Sequence, residues 1–453
     1  MTIPDKFYTQ DHDLYAGELL TEYTQCMEEG LDAQSMEPLF RAAAALERGN
    51  VKSQIADALF CWTETAPKAA GFPFNEPSSL DEIRALREPF SLPKASISNE
   101  EELLQKLRGA WVGRICGCLL GKPLEGIRSQ ELISFLKKTD NFPLRRYPLE
   151  AELTDDLCSA FHFRFRDKPY ADTIDCAPAD DDTNYTVLAQ ILIERFGAAF
   201  TGADALDCWI RMQPAAAYFT AEQVAYRNRM AGLLPPYSAT YKNPFREWIG
   251  AQIRGDYFGY ICPGNPEKAA EFAFRDAQIS HVKNGIYGEM FVSAMLAAAA
   301  VTNDIPLILR CGLSQIPATS RLHMRVTEVL DGWIRGVPAD DCIRRIHTLY
   351  DEQTGYGWCH VIPNAMIVSS SLLYGNGDFG KCVCMAVQSA FDTDCNGATV
   401  GSVLGLANGI DAIDPMWYAP LHGKLATEIL NVGTVEIESL VRKTLKHIKE
   451  VKA

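Results

Sequence analysis

The chain has 453 residues, 47% of them hydrophobic, with 43 basic against 58 acidic side chains and a formal net charge of −15. That length and apolar content allow a large core, and the acidic balance argues against nucleic-acid binding through a basic surface. No run of about 20 apolar residues suggests a membrane span. The N-terminus lacks the basic-then-apolar order of a signal peptide, and the 14 cysteines are scattered without Cys-x-x-Cys pairs, which fits reduced thiols in a cytoplasmic protein.

Residues 1–65 read as three helices, at 14–29, 35–47 and 51–65. Leu19, Leu20, Tyr23 and Met27 keep helical spacing in the first, and Ile55, Leu59 and Trp62 in the third. Proline recurs at Pro67, Pro73, Pro77, Pro89 and Pro93, so 66–98 reads as a linker wrapping the surface. Asn99 is a predicted N-cap, with Glu100, Glu101 and Glu102 in the first turn of the next helix. That helix carries Gly109, Gly113, Gly117 and Gly121, one every fourth residue and so along one face. Pro123 ends it, and Glu125 stands just past its end.

Further on, Phe161, Phe163 and Phe165 alternate with His162, Arg164 and Arg166, which predicts a short strand or extended edge. Thr154, Asp155 and Asp156, just before, read as a solvated turn. Asp180, Asp181 and Asp182 open a helix whose apolar side carries Val187, Leu188, Ile191, Leu192 and Phe196. Acids are favourable at a helix N-terminus, but three in a row repel one another, and a divalent ion would relieve that repulsion. A helix at 205–230 leads to a loop-rich stretch, 233–266, whose aromatics and arginines are of the kind that line sites. His281 stands at a helix junction, and an alanine-rich helix follows to Val301. Later helices are expected at 321–335, 339–350 and 379–390.

A second acidic helix start comes late in the chain. Asp392 and Asp394, then Cys395 and Asn396, precede Gly397, Gly401, Gly405 and Gly409. Each interior glycine costs a helix roughly 1 kcal/mol against alanine. Such a stripe must gain something from its missing side chains, and close approach of a partner helix is the natural gain. The stripe from Gly109 to Gly121 is the expected partner.

These residues resemble the ADP-ribosylglycohydrolases, the family of the dinitrogenase reductase-activating glycohydrolase, over about 104–409. The family's opening helix ends in a pattern like G-x-x-x-G-D-A-L-G-x-P-x-E, which looks here like Gly113, Gly117, Cys118, Gly121, Pro123 and Glu125. Its T-D-D-T looks like Asp180, Asp181, Asp182 and Thr183, and its D-T-D-[TS]-N like Asp392, Thr393, Asp394, Cys395 and Asn396. The resemblance implies an all-α multi-helix core with an N-terminal helical extension. The chain would then divide into a module at 1–65, a linker at 66–98 and a catalytic domain at 99–453. It implies a centre of two magnesium or manganese ions, and cleavage of the glycosidic bond at C1 of an ADP-ribosyl group on a protein side chain or small molecule.

On that resemblance Asp180, Asp181, Asp182, Asp392, Asp394 and Cys395 fall at metal positions, and Glu125 and Asp182 at catalytic ones. Arg246, Gly250, Ala251, Gln252, His281, Asn284, Gly285, Tyr287 and Asn396 fall toward substrate. Carboxylates are the hard oxygen donors that magnesium takes, metal ions orient hydroxyls and acidify water, and a flanking carboxylate can accept a proton. Three positions depart from the family. Asp180 replaces a threonine, Cys118 replaces an aspartate, and Cys395 stands where a hydroxyl is preferred, although a thiol suits softer metals.

Two other readings stand beside this one. Glu247 and Trp248 lie where the family has a glycine-rich diphosphate-binding stretch, which suggests a hydrolase of free nucleosides or small ribosyl metabolites. A catalytically silent binding or structural member is the other, and the intact Asp181, Asp182, Asp392 and Asp394 argue against it. The expected partner is an ADP-ribosylated protein or a small ribosyl substrate, with no nucleic acid and no membrane.

Overall fold

The computed structural model describes residues 14–93, 97 and 99–452. The described residues are mostly helical, as expected. Among the described residues the only strands are β1 (Lys424–Leu425) and β2 (Val435–Glu436), paired antiparallel. No described helix is long and apolar enough to cross a membrane.

Near the N-terminus, α1 (Leu19–Glu28), α2 (Glu37–Ala44) and α3 (Asn50–Thr65) pack on one another. Leu19, Phe40, Ala43, Ala56, Leu59 and Phe60 form a small core of their own, separate from the main one. The segment at 66–93 is anchored rather than loose. It carries a short helix, Leu80–Ala85, whose Ile83 joins the main core, and it buries the Glu76 carboxylate.

The main body is organised around α4 (Glu100–Gly121) and the helices that follow it: α5 (Asp181–Phe196), α6 (Lys283–Ala299), α7 (Arg321–Ile334), α8 (Val361–Tyr374), α9 (Thr393–Asn408) and α10 (Ile437–Lys452). Asn99 caps α4, its side chain accepting the Glu102 N–H at 2.9 Å. The two glycine stripes meet as expected. A Cβ on Gly109 would lie 2.1 Å from the Gly405 carbonyl oxygen, one on Gly113 2.2 Å from that of Gly401, and one on Gly117 1.9 Å from that of Gly397. Rising numbers on α4 meet falling numbers on α9, so the helices cross antiparallel. Gly409 plays a different part. It ends α9 with φ +80°, a left-handed conformation that glycine adopts without strain. Both α6 and α8 are buried on nearly every face, as helices apolar all round must be. Trp111 of α4 donates to Thr444 Oγ1 of α10 at 3.0 Å, which fixes the C-terminal helix against the central pair.

Three local readings change. The 161–166 segment is irregular, with bends, and forms no strand. Its phenylalanines cluster instead, with Phe165 stacked on Phe135 at 4.3 Å and flanked edge-on by Phe161 and Phe163. Thr154 caps a short helix, Asp155–Ser159, rather than a turn. Asp155 there is exposed and pairs with Arg166 at 2.6 Å. The 233–266 stretch, expected to be loops, contains helical turns at Tyr237–Thr240, Gln252–Arg254 and Asp256–Tyr260. They satisfy backbone groups that burial would otherwise leave without partners.

Candidate metal centre

The antiparallel crossing sets the end of α4 against the start of α9. Gly121 lies on Thr393, whose hydroxyl donates to the Gly121 carbonyl at 3.0 Å. The start of α5 arrives at the same place, with Asp180 as its N-cap accepting the Asp182 N–H at 2.9 Å. Asp180, Asp182, Asp392 and Asp394 are buried, and Asp181 is partly so. Ligand atoms of Asp182, Asp394 and Cys395 lie within 4.8 Å of one another, and so do those of Cys118, Asp180 and Asp182. The fold has thus joined the two acidic helix starts and placed Cys118 beside them.

Neighbouring groups fix these carboxylates from behind. Arg114, fully buried on α4, binds Asp182 Oδ1 at 3.1 Å and Asp256 Oδ1 at 2.9 Å, and donates to the Asp182 and Ile253 carbonyls. Asn364 of α8 accepts the Asp392 N–H at 3.2 Å and the Asn396 side-chain amide at 2.8 Å. Its own amide donates to the carbonyls of Trp358 and His360, both at 2.9 Å. The Cys359 thiol donates to Asp392 Oδ2 at 3.4 Å. These contacts leave Asp182 Oδ2 and Asp394 Oδ1 buried with no hydrogen-bond donor. Two carboxylates with such oxygens, clustered with the Cys395 sulfur, fit a divalent cation, because unpaired buried charge is costly and a cation removes that cost.

The electrostatics divide the cluster. Burial pushes the Asp181 carboxyl well above its usual range, helped by Asp180 and Asp182. Burial does the same to Asp182, against the pull of Arg114, and to Asp394, where Glu125 adds to it. Burial and Glu125 hold Asp392 up at about 6. Asp180 differs. Burial would raise it too, but Lys122 outweighs burial and lowers it. The Lys122 ammonium lies 2.7 Å from Asp180 Oδ2, 2.9 Å from Glu125 Oε2 and 3.5 Å from Asp394 Oδ2.

The residues expected toward substrate fall in several places. Asn396 joins the acid cluster through Asn364. Arg246 pairs with Glu22 at 2.5 Å and Glu29 at 2.6 Å, both near the N-terminus. Asn284 donates to Glu247 Oε1 at 2.8 Å, and Tyr287 donates to the Pro77 carbonyl. Arg321 of α7 ties Glu247 to Glu76, each at 2.8 Å, and Gln25 of α1 donates to Glu247 at 2.7 Å. Gly250 and Gly285 serve close packing: a Cβ would lie 2.2 Å from Glu222 Oε1 and 2.7 Å from the Arg246 carbonyl, respectively. Ala251 and Gln252 are fully buried, and the Gln252 amide has no hydrogen-bond partner. His281 contacts Ser280 Oγ through Nδ1 at 2.8 Å.

One chain of contacts connects this ionic network to the acid cluster. Glu247 Oε2 lies 3.8 Å from His360 Nε2, and His360 reaches Asp392 by way of Asn364. Burial alone would raise the Glu247 carboxyl, but Arg321 and then His360 hold it well below the usual range.

Sequence reasoning passed over Arg114, Lys122, Cys359 and Asn364. Arg114 and Asn364 carried a signal, since each is a polar residue inside a helix stretch that is otherwise small or apolar. Lys122 had only its place before Pro123 to mark it.

The sequence profile of the ADP-ribosylglycohydrolase family matches residues 99–451. The chain belongs to the ADP-ribosylglycohydrolase family. A solved structure described as an "ADP-ribosylglycohydrolase-related protein complex" superposes with a TM-score of 0.51 at 18% identity, covering 78% of this chain and 99% of that one. At that identity the likeness shows the fold alone, and the fold is the all-α one the motifs implied. No curated protein sequence matches the chain. Residues before 99 lie outside the family match, yet Glu22, Glu29 and Glu76 among them bind groups inside it.

Proposed function

We propose that the protein is a metal-dependent glycohydrolase that cleaves the glycosidic bond at C1 of an ADP-ribosyl group. The observation that carries this reading is the pair of donorless buried oxygens, Asp182 Oδ2 and Asp394 Oδ1, at the motif positions of a family of ADP-ribose glycohydrolases. Asp181, Asp182, Asp392 and Asp394 would hold a divalent ion, magnesium or manganese, with Asp180 and Cys395 beside them. Such an ion supplies a charge that orients ribose hydroxyls and acidifies water. Glu125, partly exposed and anchored by Lys122, is the proposed base for water attacking C1. The surrounding carboxylates favour the positive charge that develops on the sugar as the bond breaks. Arg114 keeps Asp182 oriented.

We divide the chain into a module at 1–65, a linker at 66–98 and a catalytic domain from 99 onward. The module's separate core and the start of the family match support that division. All 14 cysteines are free, which agrees with a reducing, cytoplasmic setting.

A second reading has an observation of its own. The Arg246 guanidinium is neutralised by Glu22 and Glu29, so it offers no spare charge to a diphosphate, which needs charge-assisted donors. A compact ribosyl compound would not need them. Ribose release from nucleosides, compared with ADP-ribose release from an arginine-modified protein in the same metal, separates the readings. ADP-ribose release alone supports the main reading, and ribose release alone supports the second.

A further inference from the structure

We infer that the Lys122 ammonium takes the place of one of the two cations implied by the family's motifs, so that the centre holds a single divalent ion. The inference rests on the metal centre proposed above and concerns how that centre is filled.

The two ligand groups of the centre are not equivalent. In the group of Asp182, Asp394 and Cys395, Asp182 Oδ2 and Asp394 Oδ1 are each buried without a hydrogen-bond partner. In the group of Cys118, Asp180 and Asp182, a cation is already present, because Lys122 Nζ lies 2.7 Å from Asp180 Oδ2. The same nitrogen is 3.5 Å from Asp394 Oδ2 and 2.9 Å from Glu125 Oε2, so it bridges carboxylates from three different segments. A divalent ion bound through Asp180 would need an oxygen contact of about 2.1–2.6 Å, in space the ammonium now fills. Two cations that close repel each other, and low-dielectric surroundings strengthen the repulsion.

The base of the lysine is as fixed as its tip. Lys122 begins the short turn Lys122–Leu124, with Pro123 following directly. Gly121, the residue before it, is packed on the Thr393 backbone, where a Cβ would lie 2.3 Å from Thr393 C. The glycine crossing therefore delivers the ammonium to the acid cluster. Lys168 shows the contrast. It is the other lysine at this end, but it lies over the Phe163 ring at 4.1 Å and reaches only the Glu125 carbonyl, at 3.4 Å.

An ammonium can neutralise and orient carboxylates, but it has no open position for water or substrate. In this arrangement Lys122 holds Glu125 and Asp180, and the metal chemistry belongs to the Asp182–Asp394 side.

The test is metal stoichiometry, measured by equilibrium dialysis of the full-length protein against manganese with elemental analysis. Lys122→Met removes the ammonium while keeping much of the stem, and Lys168→Met is the control. The expected result is one ion per chain in the wild type and in Lys168→Met, and two in Lys122→Met. Two ions in the wild type would leave the metal centre standing and overturn the substitution by lysine. One ion in a folded Lys122→Met would overturn it as well. No ion in any of the three would overturn the metal centre itself, and this inference with it. The wild-type value decides even if Lys122→Met does not fold.

Discussion

The backbones of Gly117 and Gly397 are in contact: a Cβ on Gly117 would lie 1.9 Å from the Gly397 carbonyl oxygen, and one on Gly397 2.3 Å from that of Gly117. This contact sets the distance between the turn that carries Lys122 and Glu125 and the helix start that carries Asp392 and Asp394. The site is therefore as sensitive to the packing of two helices as to its own side chains.

Gly117→Ala and Gly397→Ala should each destabilise the protein by about 3 kcal/mol or more, the upper part of the range for overpacking, because backbone cannot swing aside as a side chain can. Gly17→Ala, where a Cβ meets nothing within 4 Å, should change stability by less than about 0.5 kcal/mol. Urea unfolding of the three variants checks this, and equal midpoints would contradict it.

Asp181→Asn and Asp392→Asn should stay folded and lose the rise in melting temperature that magnesium or manganese gives the wild type, since an ion that binds only the native cluster stabilises it. Asp155→Asn, on an exposed helix start away from the cluster, should keep that rise. Thermal melts in chelator and in excess metal make the comparison. Loss of the rise in Asp155→Asn with its retention in Asp181→Asn would place the metal site at the Asp155 helix start instead.

The crossing of α4 and α9 was legible because glycine at every fourth residue has few uses other than close backbone approach. The acid cluster was legible because repelling carboxylates at two helix starts need a common partner. The pairing of Arg246 with Glu22 and Glu29 was not legible, since those acids lie more than 200 positions away along the chain on a helix that reads as plain amphipathic surface. Lys122 was hidden for a related reason. A lysine after a helix end is ordinarily solvated, and only the meeting of three segments puts carboxylates around it. The three phenylalanines at 161, 163 and 165 show the limit of periodicity: an alternating pattern does not by itself make a strand, which also needs a neighbour to pair with.

Cys395→Ser should shift metal preference toward magnesium and away from softer ions such as zinc or cadmium, because an oxygen donor suits a hard cation. Competition melts with paired ions read the preference. An unchanged order would place the Cys395 sulfur outside the ion's contacts.

Glu247 makes a prediction about acid. Its folded-state carboxyl lies well below the ordinary value of 4.5, so its contribution to stability is present above 4.5 and is lost as pH falls through the lower folded value. The wild-type melting temperature should therefore drop more steeply than that of Glu247→Gln between about pH 4.5 and 3. Parallel curves would show that the Arg321–Glu247 pairing does not stabilise the packing of the segments that carry Gln25 and Glu76.

The most direct test is release of ADP-ribose from an ADP-ribosylated protein, followed first in chelator and then after magnesium or manganese is restored. A metal-dependent glycohydrolase releases ADP-ribose only with metal, and Asp182→Asn releases none in either condition. Release at the same rate in chelator and in metal, or undiminished release by Asp182→Asn, would contradict the proposed centre.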